Sequence, residues 1–109
     1  MERPLTPRER DVLDALLAVE FDGVTELRRQ ARAATVVGGC SCGCPSIDFV
    51  TEPGAGLHVR VNAAIRGTDD ELFLYTVDGR LGGIEYVGVS DTADPSELPD
   101  PALLILEPV

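Results

Sequence analysis

The spacing of apolar residues changes once along this chain of 109 residues, and that change limits the folds open to it. Between positions 7 and 33, apolar side chains recur every three or four residues, as on one side of a helix. From Thr35 onward they alternate with polar residues, as in half-buried strands. The sequence therefore predicts an α+β fold, with two N-terminal helices packed on one face of a four- to five-stranded, mainly antiparallel sheet.

Both predicted helices have start signals. Thr6 supplies a capping hydroxyl, Pro7 suits the first helical position and Glu9 suits the third, so a helix is expected over about 7–20. Asp22 is placed to cap a second helix over about 23–33, whose arginines lie near its negative C-terminal end.

The remaining chain is predicted to form strands at about 35–38, 46–51, 57–66, 71–77 and 80–89. Asp78-Gly79 is typical of a two-residue hairpin turn, and Gly82-Gly83 indicates a bulge or a close backbone approach. Residues 90–109 are predicted to be an irregular acidic tail. Its run Leu103–Leu106 is too apolar to remain in water, so we expect it to dock on the domain itself or on a partner.

Length and composition predict a single domain over residues 1–109, because the 44% of apolar residues suffice for one core. No apolar run approaches the roughly 20 residues of a membrane span. The first ten residues are charged and lack the apolar stretch of a signal peptide. We therefore expect a cytoplasmic protein that does not bind membranes.

The formal net charge of −10 is unevenly distributed. Residues 1–66 hold nine acids and eight arginines, whereas residues 67–109 hold ten acids and Arg80 alone. Such a field repels nucleic acid and attracts basic proteins. Asp69, Asp70 and Glu71 are the candidate partner-binding residues, with a solvated acidic turn as the alternative interpretation.

All three cysteines lie in one segment, Cys40-x-Cys42-x-Cys44. In an extended backbone their thiols share one face, and three thiolates suit Zn²⁺ or another soft metal. His58, the only histidine, is the candidate fourth ligand. The spacing differs from that of common zinc modules, so buried structural thiols and a redox-active disulfide remain alternatives.

Several segments together resemble short uncharacterised proteins of high-GC bacteria, above all the run Cys-Gly-Cys-Pro-Ser-Ile-Asp at positions 42–48. The other matching pieces lie at positions 5–13, 26–28, 78–85 and 98–101, so the resemblance covers almost the whole chain. It implies no established activity, cofactor or catalytic residue.

The leading functional hypothesis is a non-enzymatic acidic protein that binds a basic protein partner, of which an immunity or anti-toxin protein is one form. The alternative is binding or sensing of a soft metal or metalloid through the cysteine segment. An enzyme ranks third, because no nucleophile, base and charge-stabilising group occur together. A cysteine nucleophile would need His58 beside it and an orienting carboxylate, for which Asp48 is nearest in sequence.

Overall fold

The computed structural model describes residues 2–39, 44–50, 56–88 and 95–108. Helices α1 and α2 span Pro7–Leu16 and Val24–Ala31, and a 3-10 helix spans Pro101–Leu103. The strands are β1 (Arg3–Pro4), β2 (Thr35–Val36), β3 (Gly38–Gly39), β4 (Ile47–Asp48), β5 (Leu57–Ile65), β6 (Glu71–Val77), β7 (Arg80–Val87) and β8 (Leu104–Pro108). All described strand pairings are antiparallel, so the α+β prediction is confirmed at this level.

The main sheet has six strands in the order β3-β4-β7-β6-β5-β8, and β1 and β2 form a separate pair. The predicted sheet of four to five strands was therefore too small. The extra strand is β8, which forms within the tail that was predicted to be irregular. Its Leu104 and Leu106 pack against the core while its backbone pairs with β5, so the apolar run docks on its own domain.

The start of α1 matches its prediction. The Thr6 side chain accepts from the Glu9 N–H at 3.1 Å, and the Glu9 carboxylate accepts from the Thr6 N–H at 2.9 Å. The helix ends at Leu16, however, rather than near residue 20.

The second helix begins differently from its prediction. Its N-cap is Gly23 with φ of +88°, and no side chain caps it, so Asp22 does not serve as the cap. Glycine takes this left-handed conformation without a steric cost. The predicted packing of both helices on one face of the sheet is shown only in part, because the main sheet contact is that of α2 with β7, whereas the main contact of α1 is with the 3-10 helix.

The first two predicted strands are shorter than expected. Segment 35–38 divides at Val37, whose N–H donates to the Asp48 carbonyl at 2.9 Å, so that β2 pairs with β1 and β3 pairs with β4. Segment 46–51 contributes only the two residues of β4. Parts of this segment, of 80–89 and of the tail fall outside the described residues.

One glutamate joins the N-terminal strand to the first helix. The Glu9 carboxylate is largely buried and accepts from Arg3 at 2.8 and 2.9 Å. Burial alone would raise the pKa of Glu9, but the hydrogen bonds from Arg3 and Thr6 outweigh it and leave that pKa lowered.

A single hydrophobic cluster contains buried side chains from both helices and from one face of the sheet. We call this face the inner face; β5, β6 and β7 contribute to it Val61, Ala63, Ile65, Leu72, Leu74, Ile84 and Tyr86. Side chains alternate along a strand, so the intervening residues form an outer face. In the described part of the chain, no helix is long and apolar enough to cross a membrane.

The consecutive glycines of β7 allow very close packing. The register of β6 and β7 shifts between Tyr75 and Thr76, opposite Gly82, which confirms the predicted irregularity. A Cβ at Gly82 would lie 2.5 Å from the Tyr75 ring, and one at Gly83 would lie 2.6 Å from the Tyr75 hydroxyl and would overlap the Ile47 carbonyl. Side chains at these two positions are therefore sterically excluded.

Replacing Gly83 with alanine should lower the free energy of unfolding by about 2 kcal/mol, because Tyr75 and the β4 backbone must shift to admit the methyl group. Gly38→Ala is the matched control, since its Cβ would meet the Asp48 carboxylate at an ordinary 3.4 Å. Urea denaturation of both variants measures the difference. Equal stability of the two would contradict this packing.

Candidate protein-binding site

The structure separates the predicted metal ligands that it describes. Cys40 and Cys42 lie outside the described residues. Cys44 is partly buried and lines a cleft of about 770 Å³ beside the start of α1. His58 is exposed on β5, and strands β6 and β7 lie between β5 and β4, which follows Cys44. Within the described ranges, no three His, Cys, Asp or Glu side chains are grouped to hold a metal ion.

The predicted acidic residues occupy the turn between β5 and β6, and they do not act alike. The Asp70 carboxylate accepts a hydrogen bond from the Tyr86 hydroxyl, so the Asp70 side chain stabilises the turn. Asp69 is exposed in the turn. Glu71 is also exposed, at the start of β6 and on the outer face of the sheet.

Cross-strand pairing places the outer-face residues in rows, because directly opposed residues point to the same side. The first row consists of Val87, Glu71, Ala64 and Ile105, all four of which are exposed. The second consists of Glu85, Phe73, Asn62 and Glu107, and the third of Asp48, Gly83, Tyr75 and Val59. These three rows hold four carboxylates and no basic residue.

Tyr75 connects the third row across the glycine of β7. Its hydroxyl donates to Asp48 Oδ1 at 2.7 Å, although β7 lies between β6 and β4. The ring takes this path because Gly83 has no side chain to block it. Burial and the Asp48 carboxylate both raise the pKa of the Tyr75 hydroxyl, so it stays a donor at neutral pH.

Ser46, which lies just before β4, hydrogen-bonds both Glu85 and the cleft residue Cys44. Its Oγ accepts from the Tyr86 N–H at 2.8 Å and from the Cys44 thiol at 3.3 Å, and its hydroxyl hydrogen-bonds the Glu85 carboxylate. Burial and the nearby charge of Asp48 raise the pKa of Glu85, although Ser46 partly offsets this. Asp48 and Glu85 thus form a pair of repelling carboxylates.

The charges of the outer face are not neutralised within the described part of the chain. The ion pairs found there join Arg3, Arg8, Arg28 and Arg29 to glutamates at positions 9, 97, 20 and 26. None involves Asp48, Glu71, Glu85 or Glu107. Four of the eight arginines of residues 1–66 thus pair with glutamates outside the three rows, and the rows themselves stay electronegative.

The grouping of Ser46, Asp48, Tyr75 and Glu85 was not predicted from the sequence. One signal was present, since Gly82-Gly83 within a strand indicates that another group approaches the backbone closely. The approaching group is the Tyr75 ring, which lies several residues away in the neighbouring strand. Hairpin pairing of β6 with β7 supplies that information, and residue spacing alone does not.

Glu85→Gln should stabilise the protein at pH 7 by about 0.5 kcal/mol, a small value because solvent screens this partly exposed side chain. A raised folded-state pKa means that stability is greatest below the ordinary value of 4.5 and falls as the pH rises through the folded-state pKa. The gain should therefore vanish near pH 4. Thermal unfolding at both pH values measures it.

The double variant with Asp48→Asn provides the control for that effect. Once Asp48 is neutral, Glu85→Gln should give a smaller gain at pH 7, because the repulsion between the two carboxylates is already gone. An equal gain in both backgrounds would contradict the coupling.

Comparison of the chain with protein-family models, with curated proteins and with solved structures found no match.

Proposed function

We propose that this protein is a non-enzymatic binding protein that engages a basic protein partner. The observation that carries the proposal is the outer face of the sheet, where Asp48, Glu71, Glu85 and Glu107 share three rows that contain no arginine. An immunity-type inhibitor of a basic toxin is one form of such a protein.

The electrostatics of the face favour an external cation. Asp48 and Glu85 repel each other, and a guanidinium or ammonium group placed between them would relieve that repulsion. The net charge of −10 adds long-range attraction, which accelerates association with a basic partner at low salt. Binding of a cationic group of the partner would thus reduce the repulsion between Asp48 and Glu85.

The acidic turn supplies fewer contact residues to the proposed binding surface than the sequence predicted. Glu71 is exposed in the first row, so it contributes directly to the binding surface. Asp69 lies just beyond the row and adds to the field, while Asp70 is engaged by Tyr86. Of the predicted partner-binding residues, Glu71 is therefore the one we assign to direct contact.

Soft-metal binding at Cys40, Cys42 and Cys44 is the second candidate function. The observation that favours it is that Cys44 lines the cleft beside the start of α1. Elemental analysis after purification without chelator separates the two proposals. About one zinc or other soft metal ion per chain, lost in Cys44→Ser, would support this candidate.

The binding proposal is tested with a fluorescent nona-arginine peptide as the probe, followed by anisotropy at low and physiological salt. The triple variant Glu71→Gln, Glu85→Gln and Glu107→Gln should weaken binding about tenfold or more, because it removes three of the four outer-face carboxylates.

The matched control is the triple variant Asp14→Asn, Glu20→Gln and Asp22→Asn, which removes the same charge from exposed positions around the helices. It should weaken binding only about twofold, through the loss of long-range attraction. Equal losses in the two triple variants, or no binding of the peptide by the unaltered protein at low salt, would contradict the proposal.

A further inference from the structure

The free edge of β8 is poorly suited to receive a partner strand. The Arg66 N–H donates to the Leu103 carbonyl at 2.8 Å. Because residues of an antiparallel strand bond to the neighbouring strand at every second position, the backbone groups of Ile105 and Glu107 then face β5. The Leu104 N–H donates to the Pro101 carbonyl, and Pro108 has no N–H. Along Leu104–Pro108, the Leu106 N–H is the only backbone donor left to face outward, beside the outward carbonyls of Leu104 and Leu106, so the edge offers a partner strand few donors.

The outer face offers side chains rather than backbone groups. Strands β5 and β6 are paired on both sides, so their N–H and C=O groups are used within the sheet. A segment that lies on this face must therefore satisfy its own backbone hydrogen bonds. An α-helix does so internally, whereas an extended segment does not.

The dimensions and chemistry of the rows suit one helix. The first row crosses four strands, about 14 Å at the usual strand spacing, and the second row lies about 7 Å away along the strands. A helix about 10 Å in diameter lying along the rows contacts both. Val87 and Ile105, 37% and 50% exposed, mark the two ends of the first row, with the small Ala64 between them.

We infer that the outer face is the docking surface for an amphipathic basic helix of the partner. Its apolar stripe covers Val87 and Ile105, and its flanking arginines or lysines reach the carboxylates of Glu71, Glu85 and Glu107. This inference rests on the proposed function and adds the surface and the type of partner segment. A second copy of this chain is a poor occupant, because its charge of −10 opposes self-association.

Two synthetic 18-residue peptides of identical leucine and arginine composition test the inference. One places its leucines at helical spacing, and the other alternates leucine with arginine as a strand would. In fluorescence anisotropy at physiological salt, the helical peptide should bind about tenfold more tightly. Amide NMR shifts induced by that peptide should concentrate on the outer faces of β6, β7 and β8.

Val87→Ser with Ile105→Ser should weaken binding of the helical peptide about tenfold, because the peptide's leucines lose their contacts. Leu57→Ser with Leu103→Ser is the matched control, since these side chains are 48% and 39% exposed but lie outside the three rows. The control pair should change the affinity less than twofold, and circular dichroism checks that each variant is folded.

The outcomes separate the inference from the proposed function. Equal affinity of the two peptides, or equal effects of the two serine pairs, would overturn helix docking while leaving charge-based binding intact. If neither peptide binds at low salt, the proposed function fails as well. If sedimentation shows a dimer that Val87→Ser and Ile105→Ser dissociate, the face is occupied by a second copy and the inference is overturned.

Discussion

The arrangement of the outer face depends on one aromatic side chain that crosses a strand. Tyr75 reaches from β6 over Gly83 to donate to Asp48 on β4, and this bond joins β6 to β4 across β7. The crossing requires glycine at positions 82 and 83, because a Cβ at either would overlap the ring or the hydroxyl. The hydrogen bond fixes Asp48 near Glu85, which sets up the repulsion between the two carboxylates.

The sheet consequently has two faces of different character. Its inner face joins the helices in one hydrophobic cluster, whereas the outer rows contribute no residue to that cluster. The arginines near the N-terminus are engaged with the glutamates and carbonyls around the helices, as Arg3 with Glu9 and Arg8 with Leu98 show. The uneven distribution of charge along the chain thus becomes an uneven distribution in space, and the proposed binding of a basic partner rests on it.

Local signals in the sequence predicted local structure well. The capping box of Thr6 and Glu9, the Asp78-Gly79 turn and strand β6 at 71–77 follow from neighbouring residues, and the structure confirms them. Strand β8 was missed because its stability comes from pairing with β5, about 40 residues earlier in the chain. The Tyr75 and Asp48 contact was missed for the same reason, since it spans 27 residues and two strand pairings. The three-cysteine hypothesis stays a prediction, because it depends on residues 40 and 42.

Titration of Tyr75 tests most directly whether its hydroxyl is held by Asp48. With ¹³C-labelled tyrosine, and with Tyr86→Phe to assign the two signals, NMR follows each phenol as the pH rises. Tyr75 should remain protonated well above the ordinary pKa of 10, and Asp48→Asn should bring its pKa down toward that value. Ionisation of Tyr75 near pH 10 in both proteins would show that the bond across Gly83 does not organise the outer face.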